Sequence, residues 1–196
     1  MLAVENCPTP FGPHWVQHRN EEIALHVLFV CTGNICRSPT AERLAVAQAV
    51  RSKVSGFSAS SAGTRAVIAH PIQREAALVL EDLGGDASDF AARQLTSRIA
   101  AAADLVLTMT RAHRDTVLEL APHQLRKTFT LTEAARLASD CNARSVAELA
   151  LLRPRLAGQG IPDIADPIGQ SAQVFMTIGS QIADLLPPIL DLCRPH

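Results

Sequence analysis

The sequence predicts a single α/β domain built on a parallel sheet with helices on its faces. Short, β-branched apolar runs alternate with longer segments whose apolar residues recur at helical spacing, which is typical of a parallel α/β sheet. The chain has 196 residues, 47% of them hydrophobic, and a formal net charge of -1, which fits one globular domain with a substantial core. Ligands of such sheets bind at the carboxyl ends of the strands.

The predicted strands and helices end at residues that favour turns or caps. The first strand runs into Gly33-Asn34, Ser38 can cap the helix that follows, and Pro39 fits the first turn of that helix. The predicted strands cover residues 26–30, 57–61, 104–109 and 127–131. The first predicted helix starts at Ser38. Further helices are predicted at residues 71–83, 111–120, 146–152 and 173–186.

Two regions lie outside this regular pattern. Residues 1–24 are polar, contain Pro8, Pro10 and Pro13 and show no period, so we interpret them as an N-terminal arm outside the core. The predicted domain covers residues 25–196. Within it, residues 136–162 form an extra segment.

Composition excludes two classes of partner. The most hydrophobic stretch, residues 23–35, is broken by polar residues and is shorter than the roughly 18 residues that span a bilayer. No segment gathers the dense Lys/Arg stripe that a nucleic-acid backbone requires. We therefore expect neither a membrane span nor a nucleic-acid partner.

The cysteines indicate a reducing compartment. Their odd number and irregular spacing do not suit a disulfide framework, so catalysis or redox sensing is the more useful interpretation. The first residues also lack the basic start and apolar middle of a secretion signal, and we expect a cytoplasmic protein. The five cysteines are Cys7, Cys31, Cys36, Cys141 and Cys193.

The loop between the first strand and the first helix carries the strongest chemical signal. Cys31 and Arg37 are separated by five residues, among which Gly33 and Asn34 tolerate left-handed backbone angles. Such a loop can turn its amide groups around an anion, and the following helix adds its positive end. The sequence predicts that a tetrahedral dianion binds to Thr32, Gly33, Asn34, Ile35 and Cys36.

The residue types in this loop suit covalent phosphate chemistry. A helix N-terminus and a nearby arginine favour a thiolate, which makes Cys31 the candidate nucleophile. Arg37 can bind two phosphate oxygens at once, as a lysine could not. Ser38 can donate a hydrogen bond to the sulfur and ease its departure from an intermediate.

Hydrolysis of a phosphate ester also needs an acid that protonates the leaving oxygen. Asp163 and Asp166 are the candidates. We favour Asp166 because Pro167 biases it to an extended backbone and stiffens the loop. The alternative is that the IPDIADP stretch is only a turn before the last helix.

These residues resemble the low-molecular-weight protein tyrosine phosphatases. VCTGNICRSPTAE at 30–42 looks like that family's phosphate loop, and later segments occur in the same order: SAGT at 61–64, ARQ at 92–94, DLVLTM at 104–109 and DP at 166–167. The resemblance implies a four-stranded parallel sheet and cofactor-free, metal-free hydrolysis of tyrosine-phosphorylated proteins or small aryl phosphates through a phosphocysteine. It assigns Asn34 and Ser61 to a network that holds the loop closed, and Cys36 to a reversible disulfide with Cys31.

Two positions depart from the family pattern. Phe90 replaces a histidine common in the loop network, so we expect the loop to be braced differently. Ile168 follows Asp166-Pro167 where many members carry aromatic residues, and the chain has no Tyr. Ile168 is thus the candidate substrate wall, with the aromatic residues Phe57, Phe90, Phe129 and Trp15 as less suitable substitutes because three of them fit the core and Trp15 the arm.

Other interpretations remain open at this stage. A thiol-dependent arsenate reductase would need a further pair of close cysteines, whereas Cys141 and Cys193 are isolated. A non-catalytic phosphate- or phosphopeptide-binding module would not need the acid. His14 and His18 have the spacing of helical metal ligands but no third ligand nearby. The arginines that could line the entrance are Arg65 and Arg111.

Overall fold

The computed structural model describes residues 25–192, so the predicted N-terminal arm lies outside the described residues. The strands are β1 Leu25–Cys31, β2 Phe57–Gly63, β3 Leu105–Thr108 and β4 Thr128–Thr130. The helices are α1 Arg37–Arg51, α2 Arg74–Asp82, α3 Ser97–Ala101, α4 Arg111–Leu120, α5 Leu131–Ser139, α6 Val146–Leu152, α7 Ala172–Leu185 and α8 Pro187–Asp191. Two short 3₁₀ helices cover Pro122–Gln124 and Arg153–Leu156.

The four strands form one parallel sheet in the order β2-β1-β3-β4, which confirms the predicted fold class. Val30 in β1 pairs with Ala62 on one side and with Thr108 on the other. The chain moves outward from β1 to β2 and then returns to the opposite side at β3. This reversal opens a crevice at the carboxyl ends of β1 and β3, and Cys31 stands at the end of β1.

The sheet separates two layers of apolar side chains. Successive residues of a strand point to opposite faces, so Val27 and Phe29 enter one cluster and Leu28 and Val30 the other. The larger cluster also contains Phe129, and Phe57 and Phe90 pack against it. These three aromatic side chains therefore belong to the core rather than to a substrate wall, while Trp15 lies outside the described residues.

The structure agrees closely with most of the predicted elements and adds others. Helices α4 and α6 have the predicted bounds. Helix α5 was missed because it begins directly at the end of β4, where Thr130 and Glu133 form a reciprocal capping box. Within the segment 136–162, the buried side chains Leu137, Leu149 and Leu156 join the larger core cluster. No helix in residues 25–192 is both long and apolar enough to cross a bilayer.

Candidate active site

The loop after β1 is fixed by backbone hydrogen bonds from a second loop. The carbonyl groups of Cys31, Thr32 and Gly33 accept hydrogen bonds from the backbone amides of residues 64, 65 and 67, each at 2.9 Å. In a trans peptide the N–H group points opposite to the carbonyl, so outward carbonyls direct the following amides toward the inside of the loop. The arrangement suits an anion that is bound by backbone N–H groups.

Asn34 alone supplies the left-handed backbone angle of this loop, with a φ of 55°. We predicted that Gly33 would share this role, but Gly33 does not have a positive φ. Asparagine tolerates this region because its side chain can hydrogen-bond locally. Here that side chain is anchored at both ends, since Oδ1 accepts from the Arg93 amide at 2.8 Å and Nδ2 donates to Ser61 Oγ at 2.8 Å.

Ser38 faces the sulfur of Cys31 instead of capping the first helix. The helix begins at Arg37 with Cys36 at its N-cap position and no side-chain cap, so the predicted capping role of Ser38 is wrong. Ser38 Oγ lies 2.9 Å from Cys31 Sγ and accepts a hydrogen bond from Asn34 Nδ2 at 3.0 Å. Its single hydrogen is thus free to be donated to the sulfur.

A largely buried carboxylate, that of Glu42, ends this network. Ser61 Oγ accepts from Asn34 and donates to Glu42 Oε2 at 2.6 Å. Burial raises the pKa of Glu42, while the hydrogen bond from Ser61 opposes that shift. Phe90 makes no polar contact here and lies 5.7 Å, ring centroid to guanidinium carbon, from Arg43. The loop is therefore braced by Glu42, a residue whose role the sequence did not indicate.

Arg37 joins the phosphate loop to the candidate acid loop. Its side chain is only 5% exposed; Nη1 donates to the Ile164 carbonyl at 3.0 Å, and Nη2 donates to Asp166 Oδ2 at 2.6 Å. Asp166 remains half exposed, which leaves its carboxyl group accessible to a bound ester. The structure thus brings the predicted clamp and the predicted acid into direct contact.

Asp163 is engaged elsewhere. Its Oδ1 accepts from the Arg111 amide at 2.9 Å, at the first residue of α4, and lies 3.6 Å from Arg111 Nε. Asp163 therefore holds the acid loop to α4. Arg111 is paired with it, whereas Arg65 is exposed and contributes its amide to the Thr32 carbonyl.

His113 is a second residue that the sequence gave no signal for. It is 8% exposed; Nε2 lies 2.9 Å from Thr32 Oγ1 and Nδ1 lies 2.8 Å from Thr110 Oγ1. Burial, and then the charge of Arg37, lower the pKa of His113 from 6.5 to about 4. The imidazole is therefore neutral at physiological pH.

The second cysteine of the loop belongs to the core. Cys36 is buried within the larger apolar cluster. Burial, and then the proximity of Cys31, raise the pKa of Cys36 to about 12. Cys36 is thus a thiol at neutral pH and is far less nucleophilic than a thiolate.

Three exposed apolar side chains lie in the segments that adjoin the phosphate loop and the acid loop. Val67, 37% exposed, lies beside Gly33, where a Cβ would come 3.6 Å from Val67 Cγ2. Ile68 is 63% exposed, and Ile168, two residues after Asp166, is 46% exposed. Val67 and Ile68 were not predicted, because an apolar loop residue in the sequence looks the same whether it packs inward or faces solvent.

The remaining predicted features lie either away from this site or outside the described residues. In residues 25–192 no group of three His, Cys, Asp or Glu side chains could hold a metal ion. His14 and His18 lie outside the described residues, as does Cys193. Cys141 is a half-buried free thiol.

Comparisons with known proteins agree with this geometry. Residues 26–148 match the family described as low molecular weight phosphotyrosine protein phosphatase. The low molecular weight protein-tyrosine-phosphatase Etp of Escherichia coli K12 is 39% identical over 103 residues, which are 53% of this chain and 66% of Etp. The chain thus spans just under two thirds of that relative.

Two longer matches extend the similarity. A protein-arginine-phosphatase of Geobacillus stearothermophilus is 30% identical over 160 residues, covering 82% of this chain and 90% of the relative. The crystal structure of a low molecular weight protein tyrosine phosphatase from T. tengcongensis superimposes with a TM-score of 0.68 at 29% identity, over 85% of this chain and 98% of that one.

Proposed function

The chain belongs to the low-molecular-weight protein tyrosine phosphatase family, and on that premise we propose that it hydrolyses phosphate monoesters, protein phosphotyrosine above all, through a phosphocysteine on Cys31. The contact between Arg37 and Asp166 carries this proposal. The contact supports the proposal because it joins the proposed phosphate-binding group to the proposed proton donor, beside a loop that begins with the proposed nucleophile. A module that only binds phosphate has no use for this pairing.

In the first half-reaction the loop amides and Arg37 bind the phosphoryl oxygens. The Cys31 thiolate attacks phosphorus; the S–P bond forms as the bond to the ester oxygen breaks. Asp166 transfers its proton to that oxygen, so the alcohol or phenol leaves neutral. Arg37 and the amides stabilise the charge on the three equatorial oxygens in the transition state.

In the second half-reaction water hydrolyses the phosphocysteine. The Asp166 carboxylate accepts a proton from the attacking water as the new P–O bond forms. The S–P bond breaks, and Cys31 leaves as a thiolate that Ser38 Oγ–H stabilises at 2.9 Å. Inorganic phosphate is released and both catalytic groups regain their starting states.

The apolar approach supports an aryl ester as substrate. Val67, Ile68 and Ile168 are exposed, and we infer that they contact a phenyl ring while the phosphate occupies the loop. They lack the ring stacking that aromatic walls provide, which contributes about 0.5 to 1.5 kcal/mol beyond burial. We infer that phosphotyrosine is accepted with a modest demand for the ring and that small aryl phosphates are also hydrolysed.

The arginine phosphatase relative motivates a second candidate, phosphoarginine. The same residues could break a P–N bond, with Asp166 protonating the leaving guanidine. Apolar side chains at the approach favour a neutral phenyl ring over a cationic guanidinium, so we rank this candidate second. An arsenate reductase is not favoured, because Cys141 is the only cysteine of residues 25–192 outside the phosphate loop.

A tyrosine-phosphorylated protein is the proposed physiological substrate. We propose a cytoplasmic location because Cys31, Cys36 and Cys141 are all free thiols, as a reducing compartment would keep them.

Turnover of p-nitrophenyl phosphate, phosphotyrosine peptide and phosphoarginine peptide tests the proposal, with Cys31→Ser as the matched control. We expect hydrolysis of the first two by the wild type and background rates for the variant. Hydrolysis of phosphoarginine alone would favour the second candidate. Equal rates for wild type and variant would refute nucleophilic catalysis by Cys31.

A further inference from the structure

His113 ties the residue next to the nucleophile to the start of α4. Its ring spans from Thr110 Oγ1 to Thr32 Oγ1, with nitrogen-to-oxygen distances of 2.8 and 2.9 Å. We propose that His113 is a positioning residue for the phosphate loop, which it holds through a hydrogen bond donated to the Thr32 hydroxyl; the proposal rests on the proposed function only for its consequence in catalysis.

The hydrogen-bond pattern favours one direction for this bond. Thr110 is the N-cap of α4, and its Oγ1 accepts from the His113 amide at 3.2 Å. The hydroxyl hydrogen of Thr110 is then available to Nδ1 of the ring. A neutral imidazole that accepts at Nδ1 carries its proton on Nε2, so Nε2 donates to Thr32 Oγ1.

The segment that holds His113 also holds the acid loop. The Met109 carbonyl accepts from the Ile164 amide at 2.9 Å, and the Arg111 amide donates to Asp163 at 2.9 Å. His113, one turn further along α4, reaches back to Thr32. The segment from Met109 to His113 is therefore bonded both to the loop of Cys31 and to the loop of Asp166, and it sets their separation.

The charges around the ring favour its neutral form. Arg37 is the cation that opposes protonation of His113, whereas Asp166 and Asp163 favour it; burial and Arg37 together outweigh the two carboxylates. A proton on Nδ1 would remove the acceptor for the Thr110 hydroxyl and place a second cation beside Arg37. Neutrality is thus a requirement of the proposed geometry.

Two substitutions of His113 distinguish a hydrogen bond to Thr32 from simple filling of the space that the imidazole occupies. Glutamine places an amide N–H near the position of Nε2 and can still reach Thr32, whereas asparagine is shorter and reaches only Thr110. We expect His113→Asn to lower kcat/KM for p-nitrophenyl phosphate by about threefold to tenfold, the effect of one lost hydrogen bond. His113→Gln should recover most of that loss, and His123→Asn, at an exposed histidine, should change nothing.

A double-mutant cycle with Thr32→Val tests whether His113 acts through Thr32. If it does, His113→Asn adds little to the loss already caused by Thr32→Val. The proposal is overturned if His113→Asn has its full effect in the Thr32→Val background, or if Gln and Asn variants are equally impaired. A thermal unfolding curve for each variant identifies any that fail to fold.

A measurement that needs no turnover tests the positioning role of His113 independently of the proposed function. Alkylation of Cys31 by iodoacetate, and protection from it by inorganic phosphate, report the state of the phosphate loop alone. We expect His113→Asn to weaken phosphate protection and His113→Gln to preserve it. That result supports the positioning role even if the wild type hydrolyses no ester, and unchanged protection in both variants contradicts it.

Discussion

The Asp166 carboxylate binds the guanidinium of Arg37 through a hydrogen bond of 2.6 Å, although the two lie 129 positions apart in the sequence. The acid therefore uses part of the hydrogen-bonding edge that Arg37 would offer to phosphate. A phosphate group that enters the loop competes with Asp166 for this edge. The carboxyl group is thereby kept next to the site where a leaving oxygen needs a proton.

Removing Asp166 should separate catalysis from binding. Asp166→Ala eliminates the proton donor, so kcat for phenyl phosphate should fall by about 10² to 10⁴, with a smaller loss for p-nitrophenyl phosphate, whose leaving group needs less protonation. The same change frees Arg37, so inorganic phosphate should bind more tightly. Steady-state kinetics and product inhibition measure both effects.

Asp163→Ala is the matched control for that prediction. Asp163 bonds to the start of α4, so its loss should loosen the acid loop and lower both substrates' kcat by a similar factor. If Asp163→Ala shows the stronger dependence on the leaving group, the assignment of the acid is reversed.

His113 should make the stability of the protein depend on pH between about 4 and 6.5. Its pKa is 6.5 unperturbed and about 4 in the folded protein, so in this interval the unfolded chain binds the proton more readily. The free energy of unfolding should thus fall as pH decreases through this window and level off below it. Glu42, whose pKa is raised, acts in the opposite sense.

A comparison of variants isolates this contribution. The difference in unfolding free energy between wild type and His113→Gln, from urea titrations at several pH values, cancels the effect of Glu42. We expect that difference to change across the window. A difference independent of pH would mean that the pKa of His113 is the same in the folded and unfolded protein.

Oxidation of Cys31 should be reversible, with a resolving step that is slow at neutral pH. Cys36 can attack an oxidised Cys31 only as a thiolate, and burial keeps it a thiol because its pKa is about 12. Disulfide formation after peroxide treatment should therefore accelerate as the pH rises. Activity recovered with a thiol reductant should be greater for wild type than for Cys36→Ser; equal recovery would make Cys36 a packing residue only.

The apolar approach should determine how strongly an aryl group is preferred. Ile168→Tyr adds a ring beside the loop and should raise kcat/KM for phosphotyrosine relative to phosphoserine by about two- to tenfold. Ile68→Ala removes exposed apolar surface and should lower this ratio of kcat/KM values. An unchanged ratio in both variants, or equal kcat/KM values for both substrates in the wild type, would contradict a role of these apolar side chains in aryl preference.

The elements that the sequence predicted well are those whose signals are local. The sheet and the phosphate loop follow from apolar runs, turn residues and the Cys31–Arg37 spacing, all within short segments. Asp166 was favoured over Asp163 from the neighbouring Pro167 alone. In the structure Asp166 contacts Arg37 and Asp163 contacts Arg111. The acid role of Asp166 stays a prediction that the two alanine variants test.

The features that the sequence could not predict depend on distant contacts. His113 meets Thr32 across 81 positions, and no local pattern distinguishes it from an exposed histidine such as His123. Ser38 has the residue type of a helix cap, yet the sulfur and Asn34 compete successfully for its hydroxyl. Phe90, in place of a histidine common in the family, indicated that the phosphate loop is braced differently. Only the fold, however, brings Glu42 to Ser61.

The most direct test of the account is detection of the phosphocysteine itself. Asp166→Ala, mixed with p-nitrophenyl phosphate and quenched in acid, should accumulate the intermediate because the activated phenol leaves without the acid while hydrolysis of the S–P bond lacks its base. Peptide mass spectrometry should then find one phosphoryl group on Cys31 and none in the Cys31→Ala, Asp166→Ala variant. Turnover by Asp166→Ala with no phosphoryl group on Cys31, or with the label on another residue, would contradict the account.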